Sequence, residues 1–230
     1  MKTDRLPLLD ALRGLAMVWM TIFHFSFDLN HFGWIQQDFY TDPVWTWQRS
    51  CIVGLFLFCV GWSQTLVAHF SWKRWLQIAV CAALVSASSY VMYPKSFIYF
   101  GVLHGIAVML LVLWVLKPLG QWLWLVGAGC LLLFFYPPFI ANSAPWNVLG
   151  LISQKPITED YVPLLPWLAV VCAGYVFGLQ IKIKTPKKKG LNVALNPLLK
   201  PFAFLGRYSL SYYMLHQPIL IGLLYLCRFA

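Results

Sequence analysis

Charged residues are scarce in this 230-residue chain, and acidic residues are the scarcest. Only 10% of the residues are charged, and 7 Asp and Glu stand against 17 Lys and Arg. Soluble domains carry about 25% charged residues. Because hydrophobic residues reach 60% and aromatic residues 17%, the chain cannot cover a surface that faces water. This composition argues against a soluble enzyme, a disordered tail and a secreted disulfide domain, and predicts a polytopic membrane protein.

Two further patterns are missing. The sequence has no internal repeat, which counts against the inverted-repeat architecture of many transporters. Its cysteines have no spacing typical of a metal site, so we predict no metal and interpret them as packing residues; they are Cys51, Cys59, Cys81, Cys130, Cys172 and Cys227. The net charge of +10 does not predict nucleic-acid binding, since the basic residues cluster in loops between apolar segments.

Seven apolar windows are long enough to cross a bilayer, which needs about 20 apolar residues per helix. They predict an all-α bundle of about seven transmembrane helices that forms a single domain over residues 1–230. The windows are Leu9 to Leu29, Ile52 to Phe70, Trp75 to Met92, Phe97 to Leu116, Leu119 to Tyr136, Pro163 to Leu179, and Phe202 to Leu226.

The distribution of Lys and Arg predicts the orientation, because cytoplasmic loops carry an excess of both. With the N-terminus inside, the cytoplasmic side holds Lys2, Arg5, Lys73, Arg74, Lys117, Lys182, Lys184, Lys187, Lys188, Lys189 and Lys200. The outer side then holds only Arg49, Lys95, Lys155 and Arg228. We therefore predict an N-terminus in the cytoplasm and a C-terminus outside.

The first window carries an unusual number of ionisable residues, which are costly in lipid and often functional. At about 100° per residue, Arg13 and His24 share one helix face, and Asp10, Asp28 and His31 lie within about 60° of it. Asp28 is one turn from His24, where a carboxylate could orient the imidazole of a general base. A purely structural role for these residues is the alternative, particularly for the pair Asp10 and Arg13.

Two other windows contribute histidines. His104 lies in the fourth window, and His216 lies in the seventh, where Tyr208, Tyr212 and His216 recur at every fourth residue. Their similar depth to His24 suggests one shared polar cavity. Each histidine could instead make an ordinary hydrogen bond between helices.

Five segments, in this order, resemble bacterial relatives of heparan-α-glucosaminide N-acetyltransferase, within the superfamily of integral-membrane acyltransferases. The first includes the spacing from Arg13 to His24, which matches the arginine-to-histidine motif of that superfamily. The segments are RLPLLDALRGLAMVWMTIFHFSFDLN (5–30), GLFLFCVGWS (54–63) after Arg49, FGVLHGIA (100–107), DYVPLLPWLAV (160–170) and LGRYSLSYYMLHQP (205–218).

The resemblance implies an acyltransferase of the bacterial cytoplasmic membrane. It would move an acetyl group from cytoplasmic acetyl-CoA to a sugar amine or hydroxyl of a glycan on the outer side. His24 would act as general base or acyl carrier. The human lysosomal relative has a lumenal domain and more helices, and its active histidine is placed after the motif helix, so His31 competes with His24 for this role.

The acyltransferase interpretation assigns roles to further residues. The donor's phosphates are expected to bind near the cytoplasmic residues Arg13 with Asp10, Lys73, Arg74 and Arg207. Candidate oxyanion stabilisers are Tyr212, His104 and Arg49, with His216 counted among the catalytic residues. Candidate acceptor contacts are Arg49, His31, Asp160 and Trp167, although Asp160 could simply cap a loop.

Two other functions stay open. A small-molecule transporter or flippase would use the same polar stripe as a substrate path. A non-catalytic envelope assembly protein would use it to bind a partner helix. The chain could also form a homodimer.

Overall fold

The computed structural model describes residues 6–140, 142–143, 146–184 and 196–229. These residues form an all-α structure, and their only β-type pairing is one isolated bridge between Phe100 and Tyr161. The helices are α1 (Pro7–His31), α2 (Pro43–Ser63), α3 (Trp72–Met92), α4 (Val102–Leu116), α5 (Leu123–Phe135), α6 (Trp167–Lys184), α7 (Lys200–Arg207) and α8 (Ser209–Phe229). Short 3₁₀ segments follow α2 and α4, at Gln64–Leu66 and Lys117–Trp122.

Five helical stretches in the described part of the chain are long and apolar enough to cross a membrane. They are Pro7–His31, Pro43–Leu66, Trp72–Met92, Val102–Phe135 and Ser209–Cys227; the apolar helix Trp167–Lys182 is shorter. The stretch Val102–Phe135 contains both α4 and α5. The prediction of an all-α, multi-pass membrane protein is confirmed. The cytoplasmic position of the N-terminus stays a prediction.

The chain divides into two compact units. Among the described residues, the terminal unit comprises residues 6–56 and 196–229, and the central unit comprises those between 57 and 184. The terminal unit therefore contains α1, the first part of α2, α7 and α8. The central unit contains the rest of α2 and α3 to α6.

In the terminal unit, α7 packs against the first half of α1 with their backbones in contact. A Cβ atom at Gly14 would overlap the carbonyl of Phe202, and one at Gly206 would overlap the carbonyl of Asp10. Glycine permits this approach because it has no side chain. Phe202 meets Gly14 and the later Gly206 meets the earlier Asp10, so α7 is antiparallel to α1.

The prediction of one continuous span from Phe202 to Leu226 is wrong. The chain leaves the helix at Tyr208, whose backbone N–H donates to the carbonyl of Leu205 at 3.0 Å, and α8 then starts at Ser209. Hydropathy averaged over the window does not detect this break, because Phe202 to Leu226 contains a single charged residue, Arg207. The close backbone contact of Gly206 with α1 fixes the direction of α7, and α8 leaves in another direction.

Two other helices begin at residues different from those predicted. Helix α2 begins at Pro43, nine residues before Ile52, because proline suits a first helical position and Asp42 Oδ1 accepts from the N–H of Val44 at 2.7 Å. Helix α4 begins at Val102 rather than Phe97. Its preceding residues pair with a loop instead, as in the bond from Val162 N–H to the carbonyl of Phe100 at 3.1 Å.

A polar cluster ties that loop of the central unit together. The side-chain amide of Asn147 donates to the hydroxyl of Tyr99 at 2.6 Å, and the hydroxyl of Tyr161 donates to the backbone carbonyl of Asn147. Burial raises the pKa of the Tyr161 phenol above its usual value. These bonds hold residues 146–162 against residues 96–102.

Candidate active site

Helices α1 and α8 of the terminal unit bring His24 and His216 into direct contact. His24 Nδ1 lies 2.8 Å from His216 Nε2, and the two rings are nearly parallel, with an interplanar angle of 16° and centroids 5.1 Å apart. His216 is buried, and His24 is half-buried. Of the three histidines predicted to share a cavity, these two are therefore neighbours.

The hydrogen-bond partners assign the tautomers of this pair. His216 Nδ1 lies 2.7 Å from the carbonyl oxygen of Tyr213, and since a carbonyl only accepts, Nδ1 must carry the proton. In a neutral His216 the lone pair is then on Nε2, which accepts from Nδ1–H of His24. The unprotonated nitrogen of His24 is therefore Nε2, which has no bonding partner among the described residues.

Tyr212 supports the pair from one side. Its ring stacks on His216 with an interplanar angle of 4° and a centroid separation of 6.1 Å. Its hydroxyl lies 2.7 Å from Thr21 Oγ1, which itself donates to the carbonyl of Met17 at 2.9 Å. Thr21 has used its hydrogen, so Tyr212 is the donor. The hydroxyl predicted to stabilise an oxyanion is thus engaged within the protein.

The sequence predicts a contact between Asp28 and His24, but the carboxylate of Asp28 bonds to Gln217 instead. Gln217 Nε2 donates to both carboxylate oxygens of Asp28, at 2.8 and 3.0 Å. The group that orients the His24 imidazole is instead His216, which comes from another helix and could not be identified from the helical wheel of α1 alone. Gln217 Oε1 is buried and has no partner among the described residues.

Three contacts therefore join α1 to α8. They pair Thr21 with Tyr212, His24 with His216, and Asp28 with Gln217. Residue numbers rise together on both helices, so α1 and α8 run in the same direction. An aromatic layer beside them closes the core of the unit; it contains Phe23, Phe39 and Trp45.

The predicted donor contacts of the terminal unit lie along α1 and α7. Arg13 forms an ion pair with Asp10, with Nη1 and Oδ1 3.2 Å apart. Arg207 is exposed at the end of α7, directly after Gly206, whose backbone packs on Asp10. Arg74, in the central unit, is exposed in the first turn of α3 and donates to Gln77 Oε1 at 3.3 Å.

His104 and Asp160 serve the start of α4 in the central unit. The N–H of Gly101 donates to His104 Nδ1 at 3.3 Å, and His104 Nε2 lies 3.1 Å from Ser86 Oγ. Ser86 donates its hydrogen to the carbonyl of Ile98 at 2.6 Å, so His104 Nε2 is the donor. Asp160 Oδ2 accepts from the N–H of Val102 at 2.7 Å. Both side chains are used in capping α4, which is the structural alternative for Asp160.

The other three predicted acceptor contacts lie on three different helices. Arg49 is half-buried in α2, and Trp167 is half-buried at the first position of α6. His31 is exposed at the end of α1, where its ring meets that of Phe32 edge-on. Between the two competing histidines, only His24 has a second histidine bonded to it.

The family model for the catalytic domain of heparan-α-glucosaminide N-acetyltransferase matches residues 5–218. The chain belongs to this family. No curated protein and no solved structure matches the chain.

Membership in this N-acetyltransferase family, together with the apolar helices, makes the chain an acetyltransferase-type membrane enzyme. The match covers α1 to α7 and extends into α8 as far as Pro218, so it includes the histidine pair. In the described residues, no group of three or more His, Cys, Asp or Glu side chains could hold a metal ion.

Sequence reasoning missed two members of this site. Thr21 lies three residues before His24 on α1, and Gln217 directly follows His216. The helical spacing of Thr21 was visible in the sequence, but a lone threonine in an apolar helix commonly bonds to its own backbone. Only the packing of α8 against α1 reveals their partners.

Proposed function

We propose that the enzyme transfers an acetyl group from acetyl-CoA to an amine or hydroxyl of a sugar, with His24 Nε2 as the general base. The acceptor belongs to a glycan on the extracytoplasmic side of the membrane. The observation that carries this proposal is the bond between His24 and His216, which leaves a lone pair on His24 Nε2.

In the direct route, His24 Nε2 takes a proton from the acceptor as its nitrogen or oxygen bonds to the carbonyl carbon of the thioester. The C–S bond breaks, and His24 returns the proton to the leaving sulfur. His216 stabilises the imidazolium that forms between these steps, because His216 Nε2 accepts a hydrogen bond from His24 Nδ1–H. Its bond to Tyr213 holds the required tautomer.

In the covalent route, His24 Nε2 attacks the carbonyl carbon of the thioester, the C–S bond breaks, and coenzyme A leaves as its thiolate. The acceptor then displaces His24 from the acetyl carbon, and its proton passes to the thiolate. The same lone pair serves both routes. They differ in one measurable respect: only the covalent route exchanges label between acetyl-CoA and free CoA when no acceptor is present.

Cations are needed to hold the phosphates of the donor, and the terminal unit supplies Arg207 and Arg13. Arg207 is exposed, and its planar guanidinium suits phosphate oxygens. Asp10 holds Arg13 in place through their ion pair. We expect Arg207→Ala to raise the KM for acetyl-CoA more than it lowers kcat.

The test is acetyl transfer by purified protein from labelled acetyl-CoA to a panel of amino sugars and their N-blocked hydroxyl analogues. His24→Ala should abolish transfer while the protein still inserts and folds. Full activity in a folded His24→Ala protein would overturn the role of His24. Loss of activity in His31→Ala alone would transfer that role to His31.

A further inference from the structure

Two lysines from different helices of the central unit converge on the short segment after α2. Lys117, which follows α4, donates from Nζ to the carbonyl of Val67 at 2.5 Å. Lys182, near the end of α6, donates from Nζ to the carbonyl of Thr65 at 3.3 Å. Their acceptors are two residues apart, so the backbone holds two ammonium groups at one place.

Among the described residues, no carboxylate forms an ion pair with either lysine. Between residues 57 and 188 the sequence contains just two acids, Glu159 and Asp160. Asp160 caps the first residue of α4, whereas Lys117 follows the last residue of that 15-residue helix, roughly 22 Å away at 1.5 Å per residue. Glu159 precedes Asp160 and donates its backbone N–H to the carbonyl of Ser96. This end of the central unit is therefore purely basic.

Capping of the backbone carbonyls after α2 accounts for one lysine at this place, but not for a second ammonium group beside it. A basic side chain can satisfy the last carbonyls of a helix, yet a second ammonium close by adds repulsion between like charges. Each ammonium has three N–H donors and uses one on a carbonyl. Four donors and two positive charges are left for a ligand, with the exposed Lys73 and Arg74 a few residues further along the chain.

We infer that Lys117 and Lys182 form a phosphate-binding site at the end of α2. A phosphate offers several acceptor oxygens and the negative charge that this cluster lacks. The phosphate can come from coenzyme A, in which case the inference rests on the proposed function, or from the headgroup of an anionic lipid.

The test measures coenzyme A binding to full-length protein in nanodiscs of neutral lipid, for the wild type and for Lys117→Gln, Lys182→Gln and the double variant. We expect affinity to fall about tenfold per glutamine, as for other lost bonds to charged groups. Lys117→Arg and Lys182→Arg should keep most of the affinity. Lys95→Gln is the control, because Lys95 is exposed and lies before α4 rather than after it.

A second arm measures thermal stabilisation of the same variants by nanodiscs that contain phosphatidylglycerol. Stabilisation that disappears in the glutamine variants, with coenzyme A affinity unchanged, would assign the site to lipid phosphate. If neither response changes in the double variant, the inference is overturned. Failure of the wild type to bind coenzyme A, with the lipid response intact, would contradict the proposed donor but support the phosphate site.

Lysine labelling of the wild type makes the test independent of variant folding. An amine-reactive reagent followed by mass spectrometry should show protection of Lys117 and Lys182 by coenzyme A or by phosphatidylglycerol. Lys95 should be labelled equally with and without them. Equal labelling of all three lysines under all conditions would also overturn the inference.

Discussion

His24 Nδ1 and His216 Nε2 lie 2.8 Å apart and join α1 to α8. The contact links two residues 192 positions apart in the chain and gives each a defined tautomer. In the proposed mechanism His216 is a positioning residue, because it acts on the acceptor through His24.

His216→Phe should keep the stacked ring but remove the acceptor for His24 Nδ1–H. We expect kcat to fall by about 10²-fold or more, within the range for a positioned acid–base group, with little change in KM. The pH profile should also change, because the imidazolium of His24 loses its partner. Steady-state kinetics across pH measure both effects. An unchanged pH profile at reduced kcat would indicate a merely structural role.

Tyr212→Phe should have a small effect on catalysis, because the Tyr212 hydroxyl is already bonded to Thr21. The lost bond should cost about 1 kcal/mol of stability, and Thr21→Ala should cost a similar amount. Thermal unfolding and kcat of both variants provide the check. A loss of 10²-fold or more in kcat for Tyr212→Phe, without a matching loss in Thr21→Ala, would instead assign Tyr212 to the oxyanion.

Gln217→Leu should destabilise the protein more than Asp28→Asn does. Without Gln217, the buried carboxylate of Asp28 loses the amide that donates to both of its oxygens, which costs on the order of 1.5–3 kcal/mol. In Asp28→Asn the Gln217 amide can turn and present its oxygen to the new amide. Unfolding of the two variants and of the double variant in one detergent measures the order. The reverse order would mean that the Asp28 charge has another partner.

Gly206→Ala should destabilise the terminal unit, since the added Cβ would overlap the backbone of Asp10. Overpacking of this kind typically costs 1–3 kcal/mol, and Gly14→Ala should behave alike. Gly222→Ala is the matched control in α8, where a Cβ would meet nothing within 4 Å. Equal thermal stability of Gly206→Ala and Gly222→Ala would show that α7 does not pack on α1 in this way.

The all-α membrane fold could be predicted because composition and apolar length depend only on the sequence. The shared face of Arg13 and His24 follows in the same way from helical spacing. The partner of His24 could not be predicted, because a helical wheel shows neighbours on one helix and His216 arrives from another. The same limit explains Asp28, which lies one turn from His24 on α1 but whose partner in space is Gln217.

The helix break at Tyr208, between α7 and α8, could not be predicted for a different reason. Residues 202–226 have enough apolar length for one span; no proline lies at the turn, and Arg207 beside it is the only charge in the window. What ends α7 is the contact between Gly206 and the backbone of Asp10, a property of two segments almost 200 residues apart. Length and hydropathy are local quantities and carry no information about such a contact.

The three pairs that join α1 to α8 also determine whether the number of membrane crossings between these two helices is odd or even. Thr21, His24 and Asp28 meet Tyr212, His216 and Gln217 in rising order, so a bilayer that both helices span is crossed by them in the same sense. A chain that leaves α1 on one face must return to the opposite face before it enters α8, which requires an odd number of crossings between them. On that topology, the start of α1 and the end of α8 lie in opposite compartments.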